Sequence, residues 1–171
     1  LADKKTGFWF HGWTFDGRHN FADALWARGN CWYTAGSVEF IEMLGLEGSL
    51  KEYLLNTLVF QVEALAKTQD ESGGWHTLLD DPSSYLEASA TAGFGYGILK
   101  AVRLGYIDEK YKVIGEKALK YVIDNIAEDG EVQNVSYGTG MGATLEDYRV
   151  IPICPMTYGQ SLALLILTEG V

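Results

Sequence analysis

The stretch Ser84-Tyr-Leu-Glu-Ala-Ser-Ala-Thr-Ala-Gly-Phe-Gly-Tyr-Gly-Ile-Leu-Lys100 decides how this chain folds. Between Tyr85 and Leu99 its only charge is Glu87, and small residues crowd it: Ala88, Ser89, Ala90, Ala92, Gly93, Gly95 and Gly97. Ser84 followed three residues on by Glu87 reads as a capping box, so a helix is expected to begin at Ser84. Each interior glycine costs a helix about 1 kcal/mol relative to alanine, and close packing must compensate. A helix that is apolar on every side must be covered on every side.

Two more segments share that character, residues 26–44, ending at the C-cap candidate Gly45, and residues 157–167. Between the apolar segments lie two amphipathic ones. One is expected to start at Ser49, with Glu52 completing a capping box. Its stripe Leu50, Leu54, Leu58, Val62 and Leu65 opposes Lys51, Glu52, Asn56, Glu63 and Lys67. The other starts near Asp108 and ends before Gly130, with Tyr111, Ile114, Ala118 and Val122 opposite Lys110, Lys112, Glu116, Lys117, Lys120 and Asp124. The order buried, half-wet, buried, half-wet, buried predicts two concentric layers of helices.

The connections alternate as well. Links after the apolar helices are short, residues 45–48 and 105–107. Links before them are long, and each opens on a glycine-bearing segment: Thr6-Gly7-Phe8-Trp9-Phe10-His11, Ser72-Gly73-Gly74-Trp75-His76 and Glu128-Asp129-Gly130-Glu131-Val132. Gly7, Gly73 and Gly130 recur at a period of roughly 60 residues, the signature of stacked αα-hairpins. A closed ring of six such hairpins, the (α/α)6 toroid, needs about 360 residues at that period. This chain has 171. The expected architecture is all-α, about half of an (α/α)6 toroid, as a single partial domain over residues 1–171 truncated on its N-terminal side. The ring is completed by a missing N-terminal half or by a homodimer partner, or stays an open solenoid. In each case the apolar helices are expected to show apolar flanks.

Composition narrows the function classes. Thirteen Lys and Arg against twenty-three Asp and Glu give a net charge of −10 and leave no basic stripe, so no nucleic-acid partner is expected. No apolar run approaches the ~20 residues of a membrane span, so no membrane partner is expected either. Cys31 and Cys154 form neither a disulfide framework nor a zinc spacing; they read as small buried apolar residues and fit a reducing, cytoplasmic compartment.

Long loops on a rigid scaffold carry function, and helix N-termini favour anionic ligands. The site is therefore expected where the long loops meet the N-termini of the apolar helices. Candidates there are His11, Trp26, Arg28, Trp32, His76 and Tyr148. Arg28 and Trp32, four apart, share one helical face. An arginine fork matches a carboxylate and an indole face matches a sugar ring. Alternatively Arg28 is satisfied by loop carbonyls. His11 and His76 occupy comparable places in successive repeats and serve either as substrate donors or as loop ties. His11, His19, His76, Asp80 and Asp81 lack metal-ligand spacing. Asp80-Asp81-Pro82 is expected to lead into the cap of the third helix. The run Ser136-Tyr137-Gly138-Thr139-Gly140-Met141-Gly142 lacks the Gly-Lys-Ser/Thr of a phosphate loop, and reads as a loop that lets backbone approach a ligand. Arg149 follows Tyr148 and is placed at the border of the same site.

His11-Gly12-Trp13, together with Trp26-Ala27-Arg28-Gly29-Asn30-Cys31-Trp32, resembles the unsaturated rhamnogalacturonyl hydrolases and the related unsaturated glucuronyl hydrolases, glycoside hydrolase families 105 and 88. The Leu79 to Ser89 stretch and the Gly138-Thr139-Gly140 loop with Tyr148 also resemble them. The likeness covers nearly the whole chain as the family's C-terminal half. It implies an (α/α)6 toroid acting on oligosaccharides that end in a 4,5-unsaturated uronic acid, with no metal or organic cofactor. It implies that an aspartate protonates the sugar double bond and activates the water that adds to it, after which the hydrated sugar rearranges and the glycosidic bond opens. It further implies that His11, Trp26, Arg28 and Trp32 line the pocket and that the aspartate lies upstream of Leu1. Thr14 and Cys31 depart from the family's usual residues. A non-catalytic carbohydrate-binding module and a helical-repeat interaction protein stand as alternatives.

Overall fold

A computed structural model of the chain describes residues 1–170. Among the described residues there are six α-helices: α1 (Ala27–Met43), α2 (Gly48–Thr68), α3 (Ala88–Arg103), α4 (Lys112–Asp124), the single turn α5 (Glu146–Arg149) and α6 (Thr157–Glu169). A 3-10 turn at Glu109–Tyr111, capped by the Asp108 side chain, leads into α4. Among the described residues extended pairing is limited to isolated bridges between loops.

The expected alternation is present. α3 is buried from Ala88 to Ala101 and packs against α1, α4 and α6. α2 and α4 cover α1 and α3 from outside, burying Leu58, Val62 and Leu65 on one and Ile114, Ala118 and Val122 on the other. Leu50, in the same stripe, is exposed. α1 and α6, each flanking α3 on one side, expose the expected apolar flanks: Trp32, Phe40 and Met43 on α1, Leu164 and Leu165 on α6.

The roughly 60-residue period is a structural repeat. Gly7, Gly73 and Gly130 have φ of +89°, +96° and +87°. Gly73 and Gly130 close the same turn, Asp70 N–H donating to Gly74 C=O and Ala127 N–H to Glu131 C=O, and Gly7 closes a turn one residue longer, with Asp3 N–H donating to Phe8 C=O. A side chain at Gly7 would meet the Phe60 carbonyl of α2, and one at Gly73 would meet the Lys117 carbonyl of α4. The short links repeat too. α1 and α3 both end in the six-to-one bond of a Schellman motif, Leu46 N–H to Ile41 C=O and Tyr106 N–H to Ala101 C=O, with Gly45 and Gly105 at positive φ.

Both expected capping boxes are replaced. α2 starts at Gly48, and no side chain caps it. α3 starts four residues later than expected, at Ala88. Residue Leu86 pairs with His76 in an isolated bridge and Thr77 N–H donates to Tyr85 C=O, which keeps residues 85–86 out of the helix. The Ser84 hydroxyl donates to the Asp81 carbonyl instead of capping. Glu87 is itself the N-cap, accepting from Ala90 N–H at 2.6 Å. The Asp81 carboxylate holds the turn before it, taking Ser83 N–H and hydroxyl.

The glycines of α3 are contact points. A Cβ on Gly93 would lie 2.8 Å from Cys31 Sγ, and one on Gly95 would lie 2.3 Å from Ile166 Cδ1. A Cβ on Gly97 would lie 2.6 Å from the Thr34 carbonyl oxygen of α1. At the C-terminal ends of the inner helices, Lys100 bonds Glu39 and, at 2.8 Å, Glu42; Tyr96 also donates to Glu39. Arg103 forks onto Glu169 at 2.7 Å.

Gly97→Ala decides whether helix propensity or packing governs α3. Alanine adds about 1 kcal/mol of helix propensity, but its Cβ strikes backbone that cannot rotate away. The expected outcome is a net loss of roughly 1–3 kcal/mol in urea denaturation; a gain would show that α1 and α3 can separate freely.

Candidate functional site

The N-terminal ends of α1, α3 and α6 converge on the loop that starts at Ser136. Arg28, the second residue of α1, is buried at 3% exposure. Its Nη1 donates to Ser136 Oγ at 2.7 Å and Ser136 C=O at 2.9 Å, and its Nη2 to Tyr137 C=O at 2.9 Å. Its guanidinium carbon lies 4.7 Å from the Trp26 ring centre and 4.6 Å from that of Tyr158, near the start of α6. Tyr158 donates to the same Ser136 carbonyl. Glu87 Oε1 lies 3.5 Å from Arg28 Nη1. The Glu87 carboxylate also accepts from Ser136 N–H at 2.9 Å and from the Ser89 hydroxyl. It is fully buried.

Arg28 is thus held by loop carbonyls, the second of the two sequence readings, and its charge lies beneath the surface. Of the residues in this network, the sequence offers Glu87 only as a carboxylate by type and does not offer Ser136 or Tyr158 as site side chains. Glu87 carried a signal, being the lone charge of an apolar stretch. Ser136 and Tyr158 carried none, because their partners are far off in sequence.

A second group sits on top. The His11 ring centre is 4.3 Å from that of Trp26, and His11 Nδ1 is 2.7 Å from the Tyr148 hydroxyl. Tyr148 is 1% exposed and its oxygen also accepts from Gly142 N–H at 3.0 Å. His11 N–H donates to Ala24 C=O, which fixes its backbone. Gly12 lies against the Met141 side chain of the glycine-rich loop, whose sulfur would have to move aside for a Cβ there. Trp26 Nε1 is buried without a hydrogen-bond partner among the described residues.

Four candidates, His11, Trp26, Arg28 and Tyr148, are therefore brought together, and two are not in that cluster. Trp32 lies one turn along α1 from Arg28 and is half exposed. His76 faces the other way. Its Nδ1 bonds the Ser84 carbonyl and its Nε2 lies 3.7 Å from Asp70. It lines a separate hollow of about 340 Å³ with Lys67, Asp70 and Asp80. Arg149 turns away from Tyr148 to pair with Asp81 at 2.8 Å, and hydrogen bonds from Ser83 and Arg149 hold Asp81 down at about 2. Among the described residues, no three His, Cys, Asp or Glu side chains converge as a metal site. Cys31 is buried and Cys154 half-buried, both free.

Burial, aided by the Arg28 charge, lowers the His11 pKa below its ordinary 6.5. A ring midpoint below 6.5 is expected in an NMR pH titration. Because the folded value is depressed, the stability His11 contributes is complete above 6.5 and is lost as pH falls through the folded value. Arg28→Ala leaves Glu87 and the Ser136 carbonyl buried and short of a partner, so a loss of about 3–5 kcal/mol is expected in urea denaturation. A loss under about 1 kcal/mol would mean that the network is not structural.

A model of Glycosyl Hydrolase Family 88 matches residues 1–171. A Bacillus subtilis protein named unsaturated rhamnogalacturonyl hydrolase YesR is 34% identical over 178 residues, covering 99% of this chain and 48% of that protein. A crystal structure described as a possible GH105 family member from Salmonella enterica serovar Paratyphi A is 56% identical, with a TM-score of 0.97, over 99% of this chain and 46% of that one. A family 105 glycoside hydrolase from C. acetobutylicum is 28% identical, with a TM-score of 0.88, over 99% of this chain and 53% of its own. The chain spans about half the length of these relatives.

Proposed function

The chain belongs to glycosyl hydrolase family 88 and supplies about half of an (α/α)6 toroid, and from that premise we propose that it carries the substrate-binding half of an unsaturated glycuronyl hydrolase. The substrate is an oligosaccharide ending in a 4,5-unsaturated uronic acid. The reaction is hydration of that double bond, followed by rearrangement of the hydrated sugar and loss of the glycosidic bond. The observation that carries the reading is the His11–Trp26–Arg28–Tyr148 cluster at the N-terminal end of α1.

The cluster suits such a ligand. Trp32, half exposed, offers an apolar face to a sugar ring, while Trp26 is buried between His11 and Arg28 and backs the imidazole. The partial positive end of α1 and the Arg28 charge beneath it favour a carboxylate, in a chain whose overall charge is negative. His11 offers a ring nitrogen to a hydroxyl. Arg28 and Tyr148 act from below by holding the loop and the imidazole, and His76 stands outside the cleft.

Glu87, the carboxylate within this network, is not the acid/base. It has no exposure, and its oxygens are taken by Ala90 N–H, Ser89, Ser136 N–H and Arg28. The proton-transferring aspartate lies in the half of the ring outside this chain. The 171 residues alone are expected to bind without turnover. The free thiols agree with a cytoplasmic setting for the whole enzyme.

Turnover by the full-length protein should bleach the ultraviolet absorbance of the conjugated double bond in an unsaturated uronyl disaccharide. No decrease across rhamnose-, glucosamine- and galactosamine-linked substrates would sink the proposal. Trp32→Ala is expected to raise KM by roughly three- to ten-fold. An unchanged KM would remove Trp32 from the cleft.

A further inference from the structure

The hydrogen-bond arrangement around Tyr148 determines where the His11 proton sits. The phenol oxygen has two neighbours, Gly142 N–H at 3.0 Å and His11 Nδ1 at 2.7 Å. The amide can only donate, so it occupies a lone pair of the oxygen. The phenol hydrogen must then go to an acceptor, and at 1% exposure water is not on offer. His11 Nδ1 is the acceptor within reach. Were Nδ1 protonated instead, both neighbours would donate to the oxygen and the phenol hydrogen would be buried without a partner, at a cost of about 1–3 kcal/mol.

We propose that Tyr148 is a positioning residue for His11: its hydroxyl donates to Nδ1, fixes the neutral imidazole as the Nε2–H tautomer, and so presents a hydrogen-bond donor rather than a base to the cleft. The surroundings support this assignment. The His11 backbone is tied to Ala24 C=O and its ring packs on Trp26, which opposes a ring flip that would put Cδ2 in place of Nδ1 beside the phenol. Nε2 has no partner among the described residues, which leaves its N–H for a ligand oxygen. The amide of Gly142 polarises the phenol and strengthens its donation. The glycine-rich loop that carries Gly142, and whose Met141 sits on Gly12, is thereby linked to the protonation pattern of His11.

The same geometry assigns a chemical role. A donor at Nε2 can hold a sugar hydroxyl or ring oxygen, but cannot take the proton of an attacking water. That consequence rests on the hydrolase reading above; the tautomer itself does not, and needs no substrate to be observed.

The test is nitrogen-15 NMR of the full-length protein labelled in histidine. The expected spectrum of His11 shows a protonated Nε2 and an unprotonated, hydrogen-bonded Nδ1, with the Tyr148 hydroxyl proton correlated to that ring. In Tyr148→Phe the Nδ1 resonance should move away from its hydrogen-bonded position and the two tautomers should mix. A proton on Nδ1 in the parent protein overturns the proposal, and so does a His11 spectrum unchanged by Tyr148→Phe. Should Tyr148→Phe not fold, the parent decides alone: a protected Tyr148 hydroxyl proton correlated with the His11 ring supports the proposal, and its absence overturns it.

Discussion

A carboxylate with no access to water, Glu87, is the constraint around which this half-ring is organised. It caps α3, meets Arg28 of α1 and accepts the amide of Ser136. Burying a carboxylate and a guanidinium costs several kcal/mol per ion before any pairing. The structure meets that cost with hydrogen bonds from every side: Ser89, Ala90 and Ser136 onto the acid, and the Ser136 and Tyr137 carbonyls under the base. A pair at 3.5 Å would be a poor bargain alone. As part of a filled network it fixes where the inner helices begin. The rings of Trp26 and Tyr158 on the two faces of Arg28 then set the approach of α6 to α1.

The two ends of the inner layer are built on different physics. At the N-terminal ends, helix amides, carbonyls and rings enclose one arginine, and loops cover it. At the C-terminal ends, Lys100 and Arg103 sit where a helix end favours cations; Lys100 pairs with Glu39 and Glu42, which remain partly in water, and the exposed Arg103 pairs with Glu169. Between them α3 lies so close to its neighbours that glycine replaces side chains at three points. The N-terminal end is therefore the more enclosed one. Loops hung from it, including residues 137–142, inherit fixed anchor points while their tips remain exposed.

The fold was legible because its cause is local and repeated. Alternating apolar and amphipathic helices, glycines at the period of Gly7, Gly73 and Gly130, and the C-cap at Gly45 are all properties of short windows, and each glycine appears in the structure with the positive φ its residue type allows. The site was legible only as residue types. Arg28 and Ser136 are 108 positions apart, and His11 and Tyr148 are 137 apart. No periodicity encodes such contacts. The misplaced start of α3 has the same origin. A capping box between Ser84 and Glu87 is a sound local proposition, yet pairing with residues 76–77 keeps residues 85–86 out of the helix and leaves Glu87 to cap alone.

Composition by itself overstates burial, and α1, α3 and α6 show why. All three read as apolar nearly all round, but only α3 is enclosed along its length. It has an inner-layer neighbour on each side and α4 behind it. α1 and α6 each have one such neighbour, and they expose Trp32, Phe40 and Met43, and Leu164 and Leu165, respectively. Their apolar faces fit a ring of which the chain spans about half, since a closed toroid gives every inner helix two flanking partners. Trp32 belongs to that face and yet lies one turn from the Arg28 network, so the boundary of the half-ring and the wall of the proposed cleft meet on one side of α1. In the proposed function, a sugar bound against His11 and Trp32 would be enclosed from that side by the other half of the ring.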